Sequence, residues 1–274
     1  MIVDARVQRR VQRYGWDKAA DYYERFWAKQ LEPAQRRLLQ LAALEPGERV
    51  LDVACGTGLV TLPAAEAVGP RGSVLGTDIS EEMVRSLENA AKTRGFTHVT
   101  ARRMDAERLE LADAAFDVVL CALGLMYVPD PLLALREVRR VLRPGGRVAL
   151  AVWGARHRCG WAEIFPIVER RVASDVCPLF FQLGTGEALA LNLEAAGFQA
   201  VTVERLSTTL EYESGDDACG AAFAGGPVAL AYSRFDERTR EEAYAEYLAS
   251  IAAHRRGDGY AVPGEFVVGV GARR

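Results

Sequence analysis

Val50–Gly58 reads VLDVACGTG. From Val50 to Ala54 the run is apolar apart from Asp52, which is how a strand covered on both faces reads. Gly56 and Gly58 follow at once, where a chain that turns tightly and comes close to a ligand has no room for a Cβ. Leu59 to Val68 continues as a helix. Strand, glycine turn and helix in that order place a ligand-binding turn at the edge of a parallel sheet.

Outward from this stretch the alternation repeats. Ser73 to Asp78 reads as a strand and Glu81 to Arg94 as a helix, with Ser80 as its N-cap and Gly95 as its stop. Val99 to Arg103 and Phe116 to Ala122 are strands, Pro131 to Leu142 is a helix ending before Pro144-Gly145-Gly146, and Arg147 to Trp153 is another strand. Glu187 to Ala196 reads as a helix, Gln199 to Tyr212 as a long strand, and Glu265 to Gly271 as a final one. The order predicts an α/β fold, a mostly parallel sheet wrapped by helices through right-handed crossovers. Upstream, Trp16, Ala20, Tyr23, Trp27 and Leu31 recur at helical spacing, and Pro33 is expected to open a second helix to about Leu44. The expected organisation is an N-terminal helical cap over residues 1–45 and one domain over 46–274. That domain carries cap insertions at about 155–185 and 214–256.

Composition excludes several classes. The 34 basic and 37 acidic side chains of the 274 residues give a net charge of -3, which offers nothing to a nucleic acid or an anionic membrane. No stretch is apolar enough to span a bilayer, and the N-terminus lacks the apolar core of a signal peptide. Cys55, Cys121, Cys159, Cys177 and Cys219 are odd in number and without CxxC spacing, as expected of reduced thiols in a cytoplasmic protein. His98, His157 and His254 are scattered, so no metal site is assigned.

The turn itself indicates the ligand. A dinucleotide fingerprint would read GxGxxG, and GTGLVT puts Thr61 at the third glycine. Asp52, just ahead of the turn, is ill placed for a pyrophosphate and well placed for a cationic amino group, which S-adenosylmethionine carries. Asp78, 20 residues past Gly58, ends the next strand, where a carboxylate accepts from ribose hydroxyls. Ile79 and Met83 follow as apolar contacts for an adenine. Asp105, 27 residues further on, can accept from the adenine amine while the Ala106 amide donates to a ring nitrogen. Cys121 and Ala122 end the fourth strand beside the amino-acid part of such a cofactor, and Leu123, Met126 and Tyr127 could face its methyl group.

VLDVACGTG, VLGTDIS, FDVVLCALGLMYVPDP and EVRRVLRPGGRVALAVWG together resemble the class I S-adenosylmethionine-dependent methyltransferases, in particular the quinone-biosynthesis-type (methyltransferase type 11) subgroup. The resemblance covers roughly Trp16 to Trp153. It implies a Rossmann-like, doubly wound, seven-stranded sheet with an antiparallel last strand. By position, Asp52, Ala54, Gly56 and Gly58 would form the cofactor loop, Asp78 would hold the ribose, Asp105 and Ala106 the adenine, and Tyr23 would close over the cofactor. Ala54 departs from the family pattern, which has glycine there.

Methyl transfer from a sulfonium needs alignment and exclusion of water, and a base only where the acceptor must lose a proton. His157, Tyr127 and Tyr14 are the candidate catalytic side chains. Aromatic residues of the caps (Trp16, Tyr22, Phe26, Trp161, Phe165, Phe180, Phe181, Phe223) indicate a small aromatic, quinol-like or lipophilic acceptor. The competing functions are a nicotinamide-dependent oxidoreductase, disfavoured by Thr61 and Asp52, and a module that binds S-adenosylmethionine without turnover.

Overall fold

The central strands are those whose sequence is apolar on both faces. β1 (Arg49–Val53), β4 (Phe116–Ala122) and β5 (Leu142–Trp153) lie side by side with most residues buried. β2 (Ser73–Asp78) and β3 (Val99–Arg103) extend the sheet on one side, and β6 (Gln199–Tyr212) and β8 (Gly259–Ala272) on the other. The strand order is β3-β2-β1-β4-β5-β8-β6. All neighbours from β3 to β5 run parallel, and β8 runs antiparallel between β5 and β6. A two-residue strand, β7 (Arg255–Arg256), pairs with β8 as well. The computed structural model describes residues 4–172 and 179–274, so the 155–185 segment is described apart from residues 173–178, and Cys177 lies outside the described residues.

The helices follow from the same logic. α2 (Thr61–Val68) and α3 (Glu81–Thr93) connect the first strands. In α3, Met83, Val84, Leu87 and Ala91 form the buried stripe, and the Ser80 hydroxyl accepts the Met83 amide at 3.1 Å as N-cap. α4 (Pro131–Val141) begins with Pro131, with Asp130 accepting the Leu133 amide. After β5 come α5 (Ile164–Glu169) and α6 (Ala188–Ala195). Between β6 and β7 come α7 (Gly215–Cys219), a π-turn over Gly220–Ala224, α8 (Ala229–Tyr232) and α9 (Glu237–Ser250).

The N-terminus departs from expectation. One helix, α1 (Ala5–Ala42), runs 38 residues straight through Pro33 and ends at Ala43 in the left-handed region at φ 46°. A proline inside a helix costs about 3 kcal/mol. Trp27 and Leu31 before it and Ala34, Leu38 and Ala42 after it are buried in one core. Burying a leucine contributes roughly 2 kcal/mol, so the packing on both sides outweighs the break. The helix packs on β5, β8 and α8, and at its N-terminal half on α3, where Asp17 accepts the Ser80 hydroxyl at 2.7 Å.

Candidate functional site

The carboxyl ends of β1, β2 and β4 open into a cleft of about 740 Å3, covered by the first half of α1. In this sheet order the chain leaves β1 toward β2 on one side and toward β4 on the other, which is where ligands of such sheets sit. Among the expected site residues, Tyr23, Ala54, Gly56, Asp78, Ile79, Met83, Asp105, Ala106, Ala122 and Tyr127 line the cleft.

The turn after β1 is held under strain. Ala54 sits at φ 56°, a left-handed conformation that costs an alanine about 1 kcal/mol. Its methyl is accommodated because position 124 is glycine: a Cβ built on Gly124 would lie 2.2 Å from that of Ala54. Leu123, also lining the cleft, is left-handed too, at φ 61°. Non-glycine residues held this way gather at functional sites.

Three expected residues stand behind the cleft. Asp52 is 1% exposed and accepts the Thr61 hydroxyl at 2.6 Å. Thr61 is therefore the partner of Asp52, and the aspartate faces the start of α2. Gly58 is at φ 101°, and a Cβ there would stand 2.7 Å from the Leu87 side chain, so this glycine lets α3 approach the turn. Cys121 is buried and its thiol is pushed up to about 12, by burial first and then by the Asp52 charge. It is a packed apolar group.

Asp78 accepts the Gly56 amide and the Ser80 amide, each at 2.9 Å. A carboxylate has about four lone-pair sites, so acceptor capacity remains for a ligand. Burial raises Asp78 to about 6 against the pull of the amides of Ser80, Gly56 and Ile79, and the Asp17 charge adds to the rise. Burial likewise raises Asp52 to about 7, opposed by the Thr61 hydrogen bond and helped by the Asp78 charge. No basic group offsets either acid among the described residues. The Thr57 hydroxyl in the same turn is buried and has no hydrogen-bond partner among the described residues.

Two buried acids that lack a cation among the described residues, beside a backbone turn, fit S-adenosylmethionine, which brings two positive charges and no phosphate. They fit a pyrophosphate poorly. Among the described residues the one arginine lining the cleft is Arg9, whose Nε lies 2.6 Å from Glu107 and 2.9 Å from Asp105. Asp105 also accepts the Glu107 amide at 3.0 Å, so its carboxylate is tied to α1 as well as facing the cleft.

The candidate catalytic groups separate. His157 is exposed in a short turn after β5 and lines no part of the cleft. Tyr14 is 43% exposed beneath the guanidinium groups of Arg10 and Arg13. Tyr127 alone reaches the site, its ring 5.1 Å from Trp16 and 5.3 Å from Phe180. It lines both the cleft and a second, much smaller cavity beyond it. Met126 is buried and lines neither.

The expected acceptor aromatics also divide. Trp16, Trp161 and Phe180 line the second cavity. Tyr22 is 47% exposed, and Phe223 packs with Tyr232, Tyr244 and Tyr247 in a cluster of its own. Sequence reading missed Arg9, Gln12, Met104 and Gly124 at the cleft, and Trp27 and Trp153 at the cavity. Trp27 was legible only as one position on the Trp16–Leu31 helix face.

Known proteins match this chain as follows. Residues 44–163 match the family model described as a methyltransferase domain. Over 257 residues the chain is 32% identical to the nocamycin O-methyltransferase of Saccharothrix syringae, covering 88% of this chain and 91% of that protein. It is 38% identical over 137 residues to the demethylmenaquinone methyltransferase of Anoxybacillus flavithermus, covering 48% of this chain and 58% of that one. A phosphoethanolamine N-methyltransferase of Haemonchus contortus, solved with phosphomonomethylethanolamine and S-adenosylhomocysteine, has the same fold. Its TM-score is 0.62 at 16% identity, covering 94% of this chain and 57% of that chain.

Proposed function

The chain belongs to the class I S-adenosylmethionine-dependent methyltransferases, enzymes acting here on a small molecule, and we propose that the cleft beneath α1 binds the cofactor through Asp78, the Ala54–Gly58 turn and the Asp105–Ala106 segment. The carrying observation is the pair of buried acids, Asp52 and Asp78, with no cation beside them among the described residues.

When bound, S-adenosylmethionine supplies a methyl group on a positively charged sulfur, ready for in-line displacement. The chain's own residues bind, align and exclude water. Asp78 accepts from the ribose hydroxyls with the lone pairs that Gly56 and Ser80 leave. Asp52, from behind the turn, contributes negative potential rather than a direct contact. Ile79 and Met83 give apolar contact to the adenine, with Asp105 and the Ala106 amide at its polar edge. Trp16 and Tyr23 on α1 cover the cleft and keep water out. Tyr127, at the junction with the second cavity, is the side chain placed to hold a proton at its phenolic oxygen when an acceptor loses one.

The name of the Saccharothrix relative supports oxygen as the methylated atom. Unpaired Cys55, Cys121, Cys159 and Cys219 support a reducing, cytoplasmic setting. The net charge of -3 supports a partner other than nucleic acid. Titration calorimetry with S-adenosylhomocysteine and with NAD tests the cofactor reading. Saturable binding of the former alone is expected, and preference for NAD would overturn it. Mass detection of a 14 Da gain across a panel of phenols, enols and amines then identifies the acceptor and separates an enzyme from a binding module.

A further inference from the structure

Glu107 lines no part of the cofactor cleft, and its side chain is 2% exposed. It nevertheless joins three of the cleft's walls. Its Oε2 accepts the Arg9 Nε–H of α1 at 2.6 Å. Its Oε1 accepts the Asp130 amide at 2.9 Å, directly after the lining residues Tyr127, Val128 and Pro129. Its own amide donates to Asp105 Oδ1 at 3.0 Å, and the other Asp105 oxygen lies 2.9 Å from the same Arg9 nitrogen.

The beginning of α1 depends on such contacts. From Ala5 to Ala20 its buried residues are Gln8, Gln12, Gly15, Ala19 and Ala20, none of them a large apolar side chain, and the first of that kind is Trp27. Apolar burial, which fastens the second half of the helix, is therefore small in the first. The first half is fastened instead by Arg9 on Glu107, by Asp17 on Ser80 and by the edge contact of Trp16 with Tyr127. Tyr127 is held from its other side, because its loop runs into the Asp130 amide that Glu107 accepts. A buried carboxylate is costly unless it is paired. One whose two oxygens bind two separate walls fixes the spacing between them.

We propose that Glu107 is a positioning residue for methyl transfer: through Arg9 it holds the first turns of α1 over the cofactor, and through the Asp130 amide it holds the loop that carries Tyr127 against them. This rests on the methyltransferase reading of the cleft. Arg9, Gln12, Trp16 and Tyr23 roof the cleft, so the Arg9 contact must part when the cofactor leaves. The two halves of the role separate chemically. In Glu107→Gln the carbonyl oxygen stays on the Asp130 amide, which is fixed in the backbone, and the NH2 is left facing the guanidinium. Arg9, a third exposed, is the partner free to withdraw into water, and its remaining pair with Asp105 is as exposed and holds less well. Glutamine thus frees α1 and keeps the loop, whereas alanine frees both.

Two measurements on the full chain test this. The first is hydrogen exchange without ligand. Glu107→Gln is expected to speed exchange from Arg9 to Trp16 severalfold and to leave the Asp130 amide and the Trp27–Ala42 half of α1 unchanged. Glu107→Ala is expected to speed the Asp130 amide as well. The second is stopped-flow release of S-adenosylhomocysteine. Glu107→Gln and Arg9→Ala are each expected to release it about fivefold faster, with association within twofold of the parent. The double variant is expected to be no faster than Arg9→Ala, because both changes remove one contact. Effects that multiply to about 25-fold in the double variant, exchange raised evenly along α1, or unchanged release from Glu107→Gln would each overturn the assignment. Should the alanine variant fail to fold, the glutamine variant, which keeps the shape of the side chain, still decides. Failure of S-adenosylhomocysteine to bind the parent would instead remove the methyltransferase reading, and the exchange pattern would still test Glu107.

Discussion

Replacing Asp78 by asparagine should make the free protein no less stable, and at neutral pH more stable, while nearly removing its hold on the cofactor. The magnitude comes from the site. Its surroundings lift the Asp78 carboxyl from the ordinary 3.8 to about 6. A carboxyl favoured in its protonated form adds stability that is complete below its unfolded value and is lost as pH rises through about 6. At pH 7.5 that loss is roughly 3 kcal/mol, at 1.36 kcal/mol per pH unit. Asparagine carries no charge and avoids it. Against this, an amide oxygen can accept from the Gly56 amide or the Ser80 amide, but its NH2 opposes the other, at a cost of about 1–3 kcal/mol. The balance for Asp78→Asn lies between zero and roughly 2 kcal/mol of added stability, a rise of up to several degrees in Tm at ~2–4 °C per kcal/mol. Cofactor affinity moves the other way, by about 1.5–3 kcal/mol, or roughly 10- to 150-fold. Scanning calorimetry with and without S-adenosylhomocysteine, together with titration calorimetry, reads both quantities. A variant that melts several degrees lower while binding within twofold of the parent would make Asp78 a structural residue, and the cofactor assignment at this position would fail.

The same acids give a pH profile. Because a cation lowers carboxyl pKa values, S-adenosylmethionine should bind more weakly as protons compete below about pH 7, by roughly fourfold between pH 7.5 and 5.5 from Asp78 alone; a flat profile would contradict the unpaired acids. Gly124→Ala should destabilise by about 1–3 kcal/mol and abolish cofactor binding, and adding Ala54→Gly should restore most of both, since the clash is methyl against methyl; a double variant as poor as the single one would refute the pairing. Arg9→Ala releases Glu107 and Asp105 from α1, and with Arg9 about a third exposed the cost is held near ~1 kcal/mol; stopped-flow measurement should show it chiefly as severalfold faster cofactor release. Pro33→Ala should raise Tm, since about 3 kcal/mol of helix penalty is relieved against about 1 kcal/mol of added unfolded-state freedom.

Much of the fold was legible because it is written in contiguous residues. A run such as VVLC between Phe116 and Ala122 can only be an inner strand, and Ser80, Gly95 and Pro131 mark helix ends through local backbone chemistry. What local chemistry could not reveal depends on partners distant in sequence. Pro33 reads as a break until Trp27 and Leu38 are seen in one core. Asp105 reads as a cleft residue, but its ion pair with Arg9, near the start of α1, was not visible in the sequence. Thr61 argued against a dinucleotide only by failing to be glycine. Its actual use, nine residues from Asp52, needed the turn to fold back on itself. Gly124 carried no signal in isolation, because its reason is the methyl of Ala54 across the cleft.

The way this chain treats its other acids is the strongest argument for reading the cleft as a cation site. Asp117, at the far end of β4, is also partly buried, yet hydrogen bonds from Arg49 and Arg143 overcome that burial and hold it down at about 2. Glu137 is held below its ordinary value by Arg140, against its own desolvation. Glu265, 8% exposed, lies 2.8 Å from Arg205. With 34 basic residues against 37 acids, the chain does not lack arginines to place beside Asp52 and Asp78. Left-handed Ala54 and Leu123 line the same cleft. Buried acids left without a cation are a cost that packing alone would not retain, and a cofactor bringing positive charge would offset it.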